Sequence, residues 1–305
     1  MMPTETAPTS SPLSLAAIEA FHRDGFTVVE QVTTPADLER ISRVMARLYR
    51  RYNTLARMRR AWDLGTGDGG DLPEILEINQ TIDLEPELAT TLTFQRCRAL
   101  AEALLGRPVE YRFDHSIYKP AFNGRATAWH QDEAYTLDPR LVTAHFWVPM
   151  HDVSIERGCM QFIPGSHRER VSHHRLQHLR HAHALEADGV DASRAVACPL
   201  RAGDVTVHMP RTLHYTGPNL TAMPRLAWSL EFGPRRALPG RVAAKARLMW
   251  RKGMSRPRQT GALALAVCAR ARASMASIFT SGTSTQASAV IAAEMNTNPL
   301  KPTES

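Results

Sequence analysis

Residues 128–137 read AWHQDEAYTL, and the fold turns on how this stretch is taken. In an extended strand, side chains i and i+2 share a face. His130 and Asp132 then offer a nitrogen and an oxygen to one point, while Gln131 faces the other way. A third ligand from a distant strand would complete a 2-His-1-carboxylate set, which leaves one face of an octahedral iron open. Such a set needs strands far apart in the chain to lie side by side. A His-x-Asp pair on its own is common by chance, so what lies downstream decides.

Residues 203–219, GDVTVHMPRTLHYTGPN, supply two histidines. His208 sits in an alternating strand pattern and His214 at the turn after it. Eleven residues past His214 comes Arg225, in PRLAWSLEF. An inward guanidinium on that strand is costly to bury unless it meets an anion, and its fork matches a carboxylate in bidentate fashion. Without the His and Asp residues, Arg225 would read as a surface arginine at a strand start. The combination is far more specific than any of its parts.

Around these motifs the chain reads as mainly β with flanking helices, an α+β chain. Ser14 can cap a short helix that Asp24-Gly25 ends. FTVVEQV follows as a strand, and Leu38, Ile41, Val44, Met45 and Leu48 recur at helical spacing behind Thr34-Pro35. A helix is expected from Pro86 to Leu105. Then VEYRFDHSIYKP, ATAWHQD, TAHFWVPMHDV, CMQFIPGSH, DVTVHMP and RLAWSLEF are short strands of the kind that build a sandwich or barrel. The glycine-rich DLGTGDGGDLP at 63–73 lacks the lysine of a phosphate loop. Residues 167–194 hold six of the thirteen histidines and read as a solvated helix or flap beside a site, rather than a metal store.

Composition narrows the class. The 305 residues are 43% hydrophobic and 22% charged, ordinary for a globular chain, and no run is long enough to cross a bilayer. The four cysteines form no C-x-x-C pair, so no zinc knuckle or disulfide framework is expected. The N-terminal MMPTETAPTSSP lacks the pattern of a secretory signal, and a cytoplasmic location is expected. The net charge of +7 is uneven: from Arg235 onward twelve Lys/Arg face two acids, a local +10 that leaves −3 for residues 1–234. Nucleic acid is therefore not an expected partner. The expected organisation is a lead-in over 1–13, one domain over 14–233, a basic amphipathic helix within 234–273 and a flexible tail over 274–305. The RVAAKARLMWRKGM segment at 241–254 could lie on an anionic membrane. Packing on its own domain or a second subunit is preferred, in a monomer or homodimer.

With these residues in place, the chain resembles the phytanoyl-CoA dioxygenase family of Fe(II)/2-oxoglutarate oxygenases. The likeness rests on IEAFHRDGFTVVEQVTTPADL at 18–38, WHQD at 129–132, FWVPMHDVSIERGCMQFIPGSH at 146–167 and the GDV…H…LHYTGPN…R run at 203–225. It implies a double-stranded β-helix, a jelly-roll or cupin-like core. It also implies Fe(II) on His130, Asp132 and His214, the last chosen over His208 because it precedes the Thr216-Gly217-Pro218-Asn219 turn. His208 is then a spare polar residue on its strand. Arg225 would hold the distal carboxylate of 2-oxoglutarate, helped by the Thr216 hydroxyl, with Trp147 and His115 lining the cosubstrate pocket. One departure is Glu77 in ILEINQ, where some relatives have a lysine that contacts the cosubstrate.

The implied reaction consumes 2-oxoglutarate and dioxygen, releases succinate and CO₂, and hydroxylates an unactivated C–H bond of a small natural-product or lipid-like substrate. Related halogenases replace the carboxylate ligand with a small residue, so Asp132 favours hydroxylation. Desaturation, epoxidation and cyclisation are variants. Specificity would lie in loops 52–75 and 167–200. Arg168, Arg170, Arg175 and Arg180 could rim an acyl-CoA site, although a solvated face explains them more simply. Rival readings are a non-catalytic jelly-roll binding protein and a metal-only cupin enzyme, neither of which needs Arg225.

Overall fold

The computed structural model describes residues 13–64, 75–135, 142–175 and 184–235. Helix α1 (Leu15–Asp24) starts where Ser14 Oγ accepts the Ala17 N–H at 3.1 Å. It stops at Gly25, whose φ of +87° suits glycine. A Cβ at Gly25 would fall 2.4 Å from His167 Nδ1. Strand β1 (Phe26–Val29) follows, then α2 (Pro35–Arg50), with Thr34 as its cap and Pro35 in its first turn. The Leu38, Ile41, Val44, Met45 and Leu48 face of α2 is buried.

Next come α3 (Tyr52–Arg57), β2 (Ala61–Asp63), β3 (Leu76–Asn79) and α4 (Thr81–Leu84). The single helix expected over 86–105 is split. A 3-10 turn covers Pro86–Thr90, and α5 (Leu92–Leu105) begins afresh after Thr91. Thr91 is extended and its Oγ1 accepts the Phe94 N–H, so it caps a new helix instead of continuing the old one. The Asp37 carboxylate ties α2 to α5, accepting from Thr93 N at 2.8 Å, Thr93 Oγ1 at 2.7 Å and Leu92 N at 3.2 Å.

The remaining strands are β4 (Val109–Lys119), β5 (Thr127–His130), β6 (Ala144–Pro149), β7 (Met160–Phe162), β8 (His173–Arg175), β9 (Leu185–Ala187), β10 (Val196–Cys198), β11 (Val205–His208), β12 (His214–Thr216) and β13 (Arg225–Pro234). One sheet has the order β1-β11-β6-β13-β4-β3-β2, and a second has β10-β7-β12-β5. All pairings between these strands are antiparallel. The two sheets form a jelly-roll core that does not close into a barrel.

Strand β13 shows how this arrangement makes a site. Leu226, Trp228, Leu230 and Phe232 join the core formed with α2 and α5 on the outer face of the large sheet. Each such buried side chain contributes roughly 1.5–3 kcal/mol. Of the alternate residues, Arg225, Ser229 and Glu231 line the cavity, and Ala227 packs in a second apolar cluster with Trp147, Met160 and Phe162 from both sheets.

The histidine-rich stretch forms no α-helix where it is described, only 3-10 turns at Ser166–Arg168 and Ala192–Arg194. His173–Arg175 pairs with Leu185–Ala187 as a small hairpin. His178, His181 and His183 lie outside the described residues, as do most of the glycine-rich loop, the lead-in through residue 12, the basic 241–254 segment and the 274–305 tail. Among the described residues no helix is long and apolar enough to cross a membrane.

Candidate metal and anion site

Strand β5 ends at His130, and Asp132 opens the 3-10 turn that follows, so the two do not share one strand as expected. They still converge. His130 Nε2 and His214 Nε2 each stand 3.6 Å from Asp132 Oδ1. The register explains it: His214 in β12 pairs directly with His130 in β5. His130 Nδ1 lies 2.8 Å from the Ala128 carbonyl and His214 Nδ1 lies 2.9 Å from that of Thr212. Both ring N–H groups are thereby committed to backbone, and both Nε2 lone pairs face the gap. These three residues can hold an ion. Gln131 does point away. Its amide donates to the carbonyls of Glu169 and Arg211, and its oxygen accepts the Val171 N–H.

Electrostatics suit a cation here. Burial opposes ionisation of Asp132, but the neighbouring His214 and His145 outweigh it and hold the carboxyl well below its usual range. Burial, with His130 close by, pushes His214 well below the usual imidazole range.

Arg225 forms the second half of the candidate site. Arg225 is 1% exposed, and none of its three guanidinium nitrogens has a hydrogen-bond partner. Its Cζ lies 5.4 Å from the Trp147 ring centroid. Burial lowers its pKa to about 10. A fully buried guanidinium without a partner is a group whose fork a carboxylate would match. The cavity between the sheets is lined by Arg225, Thr216, Trp147, His115, His130, Asp132 and His214, so all seven residues expected from the sequence meet in one place. The Thr216 hydroxyl accepts from Lys119 Nζ at 3.0 Å. His115 Nδ1 lies 2.6 Å from Glu77 Oε1, and Glu77 itself lines the cavity. Glu77, the departure noted in the sequence, thus forms a pair with His115.

Two neighbours of the site, Lys119 and His145, escaped the sequence reading, and a third, His208, was misplaced by it. Lys119 is fully buried, and its ammonium donates to the carbonyls of Arg125, Thr216 and Gly217. Burial and the nearby Arg225 charge push its pKa well below the usual lysine range. His145 Nδ1 lies 2.7 Å from Asp132 Oδ2, and His208 Nε2 lies 3.1 Å from the same oxygen. His208 is therefore not a spare polar residue, because its strand runs beside the site. Strand parity carried the missing signal: His145 shares a face with Trp147, and Lys119 shares one with His115.

The phytanoyl-CoA dioxygenase (PhyH) family profile matches residues 21–227. The chain belongs to this family. Among solved structures, EvdO2 from Micromonospora carbonacea var. aurantiaca complexed with 2-oxoglutarate is 32% identical at a TM-score of 0.62, covering 75% of this chain and 94% of that one. The epimerase SnoN, in complex with Fe3+, alpha ketoglutarate and nogalamycin RO, is 26% identical at a TM-score of 0.55, covering 72% and 82%. A probable alpha-ketoglutarate-dependent hypophosphite dioxygenase of Stutzerimonas stutzeri is 30% identical over 134 residues, 41% of this chain and 46% of that protein. The PhyH chain described here spans about half the length of the first curated relatives that it matches.

Proposed function

We propose that this PhyH protein is an Fe(II)- and 2-oxoglutarate-dependent dioxygenase that oxidises a small molecule, most simply by hydroxylating an unactivated C–H bond with release of succinate and CO₂. The observation that carries this reading is the pairing, in one cavity, of three converging metal-ligand side chains with a bare buried guanidinium. His130, Asp132 and His214 would hold Fe(II). Arg225 would anchor the far carboxylate of 2-oxoglutarate while Trp147 flattens against the guanidinium. Bound together, iron and 2-oxoglutarate supply dioxygen activation. The chain's own contribution is ligand orientation, anion anchoring and exclusion of water.

Similarity to enzymes named for 2-oxoglutarate dependence supports the same reading. A metal-only enzyme or a binding protein on this fold would have no use for Arg225, and burying it bare would only cost stability.

The substrate we favour is a compact natural-product-like molecule with both apolar surface and hydrogen-bond donors. Phe113, Ile117, Met160 and Leu185 line one part of the cavity, while Glu77, His115, Ser229 and Glu231 add acceptors. Among the relatives, one is named ectoine dioxygenase and another, SnoN, was solved with nogalamycin RO, both consistent with a small-molecule substrate. An acyl-CoA rim has less support: Arg170 pairs with Glu133 at 2.5 Å, and Arg168 donates to the Arg23 carbonyl.

The test is slow, substrate-independent conversion of 2-oxoglutarate to succinate, followed by mass spectrometry. Turnover should require Fe(II) and vanish in His130→Ala and Arg225→Met. Succinate formation that persists in both variants would sink the assignment.

A further inference from the structure

The Asp132 carboxylate bridges two pairs of histidines, one from each sheet, and its oxygens are treated differently. Oδ1 faces His130 and His214 of the small sheet, at 3.6 Å from each. That separation is too long for a hydrogen bond. It falls within the roughly 2.8–3.8 Å that separates neighbouring ligand atoms around one ion with bonds of about 2.0–2.2 Å. Oδ2 faces His145 and His208 of the large sheet at 2.7 and 3.1 Å, which are direct hydrogen-bond lengths.

We infer that His145 and His208 are positioning residues that clamp Oδ2 of Asp132, so that the carboxylate presents the single oxygen Oδ1 to the metal. This inference rests on the metal reading proposed above. The backbone prearranges the clamp. His145 in β6 pairs with His208 in β11 on one side and with Glu231 in β13 on the other, so all three project from adjacent strands at one level. His145 Nε2 lies 2.8 Å from Thr143 Oγ1, with Glu231 Oε1 at 3.8 Å behind it. That backing turns the Nδ1–H toward Asp132.

His208 has a partner only at Nε2, its Nδ1 being buried and unbonded, so its N–H is committed to the carboxylate as well. A carboxylate oxygen has two lone-pair directions, and two N–H donors fill them. Were Oδ2 free, the carboxylate could rotate or offer both oxygens, and an open ligand position would be lost. Asp132, His145 and His208 also form a set of potential ligands in their own right. The hydrogen-bond lengths favour the clamp over a second ion.

The experiment uses the full chain without oxygen. Fe(II) and Co(II) are titrated by competition with a chelator, and the visible spectrum of bound Co(II) is recorded. His145→Leu and His208→Leu remove the donors. His145→Asn and His208→Gln keep an amide N–H near the original nitrogen.

One ion should bind per chain. The Leu variants should bind it about 10–100-fold more weakly with a changed Co(II) spectrum. The Asn and Gln variants should recover most of the affinity, and a purely structural role would not produce that recovery. Wild-type affinity and spectrum in the Leu variants would overturn the clamp. So would two ions in the wild type with one lost in those variants, because the histidines would then be ligands. Should the Leu variants not fold, a tenfold or greater loss in the folded Asn and Gln variants overturns it equally. Absence of any ion in the wild type would instead overturn the metal reading on which the clamp rests.

Discussion

Replacing Arg225 by Met should have opposite effects on two measurements. Without cosubstrate the guanidinium is buried, carries no hydrogen bond and sits near the equally buried Lys119 ammonium. Removing the charge at this buried site, with a side chain of similar length, relieves an unpaired polar group worth about 1–3 kcal/mol. The metal-free, cosubstrate-free variant should therefore be at least as stable as the wild type in urea. Binding of 2-oxoglutarate should suffer. Two charge-assisted hydrogen bonds from one fork contribute together about 3–4 kcal/mol, so the dissociation constant should rise roughly 150- to 1000-fold. Arg225→Lys should recover little, because an ammonium cannot reproduce the fork or its contact with Trp147. Calorimetric titration of the Mn(II)-loaded protein reads the affinity. Unchanged binding in Arg225→Met, or a loss of stability beyond about 2 kcal/mol, would refute the view of Arg225 as a strained, waiting anion anchor.

Three further outcomes follow from the same geometry. His151 Nε2 accepts the Leu226 N–H at 3.1 Å, and burial, aided by Arg157, lowers its pKa from 6.5 to about 3. Its folded pKa is depressed, so its contribution is complete above pH 6.5 and is lost as pH falls toward 3, at about 1.4 kcal/mol per unit. His151→Gln should flatten the acid limb of urea midpoints measured from pH 7 to 5, and an unchanged slope would count against it. Gly25→Ala should cost about 2 kcal/mol or more, from the positive φ and the close His167 ring. A loss below about 0.5 kcal/mol would show that neither the positive φ nor the His167 ring resists a Cβ at this position. Lys119→Met should leave the Thr216 and Gly217 carbonyls without their donor, lower the melting temperature and weaken 2-oxoglutarate binding. A variant with wild-type affinity would separate that turn from the anion socket.

The architecture was legible because each layer leaves a periodic trace. The α2 stripe and the β13 alternation are local patterns, and the flanking caps at Ser14 and Thr34 are single residues with one physical job. What the sequence hid was tertiary. The break at Thr91 depends on which way one hydroxyl points, and helix spacing alone runs straight through it. The β8 strand exists because Leu185–Ala187 lies alongside it, a partner no local pattern names. At the site, the seven expected residues came from motif spacing and resemblance. Lys119, His145 and the true place of His208 needed sheet order, because β11, β6 and β13 become neighbours only in the fold. Parity along VEYRFDHSIYKP and TAHFWVPM would have flagged Lys119 and His145 as inward, though not what they touch.

The central claim is that one cavity holds a metal and a 2-oxoglutarate carboxylate at once. Anaerobic titration of the Fe(II)-loaded protein with 2-oxoglutarate tests it most directly, by the weak visible charge-transfer band that chelated Fe(II) gives. The account predicts a saturable band in the wild type that is absent in His130→Ala and needs far more 2-oxoglutarate in Arg225→Met. A folded, iron-loaded wild type that shows no band at saturating 2-oxoglutarate would contradict it.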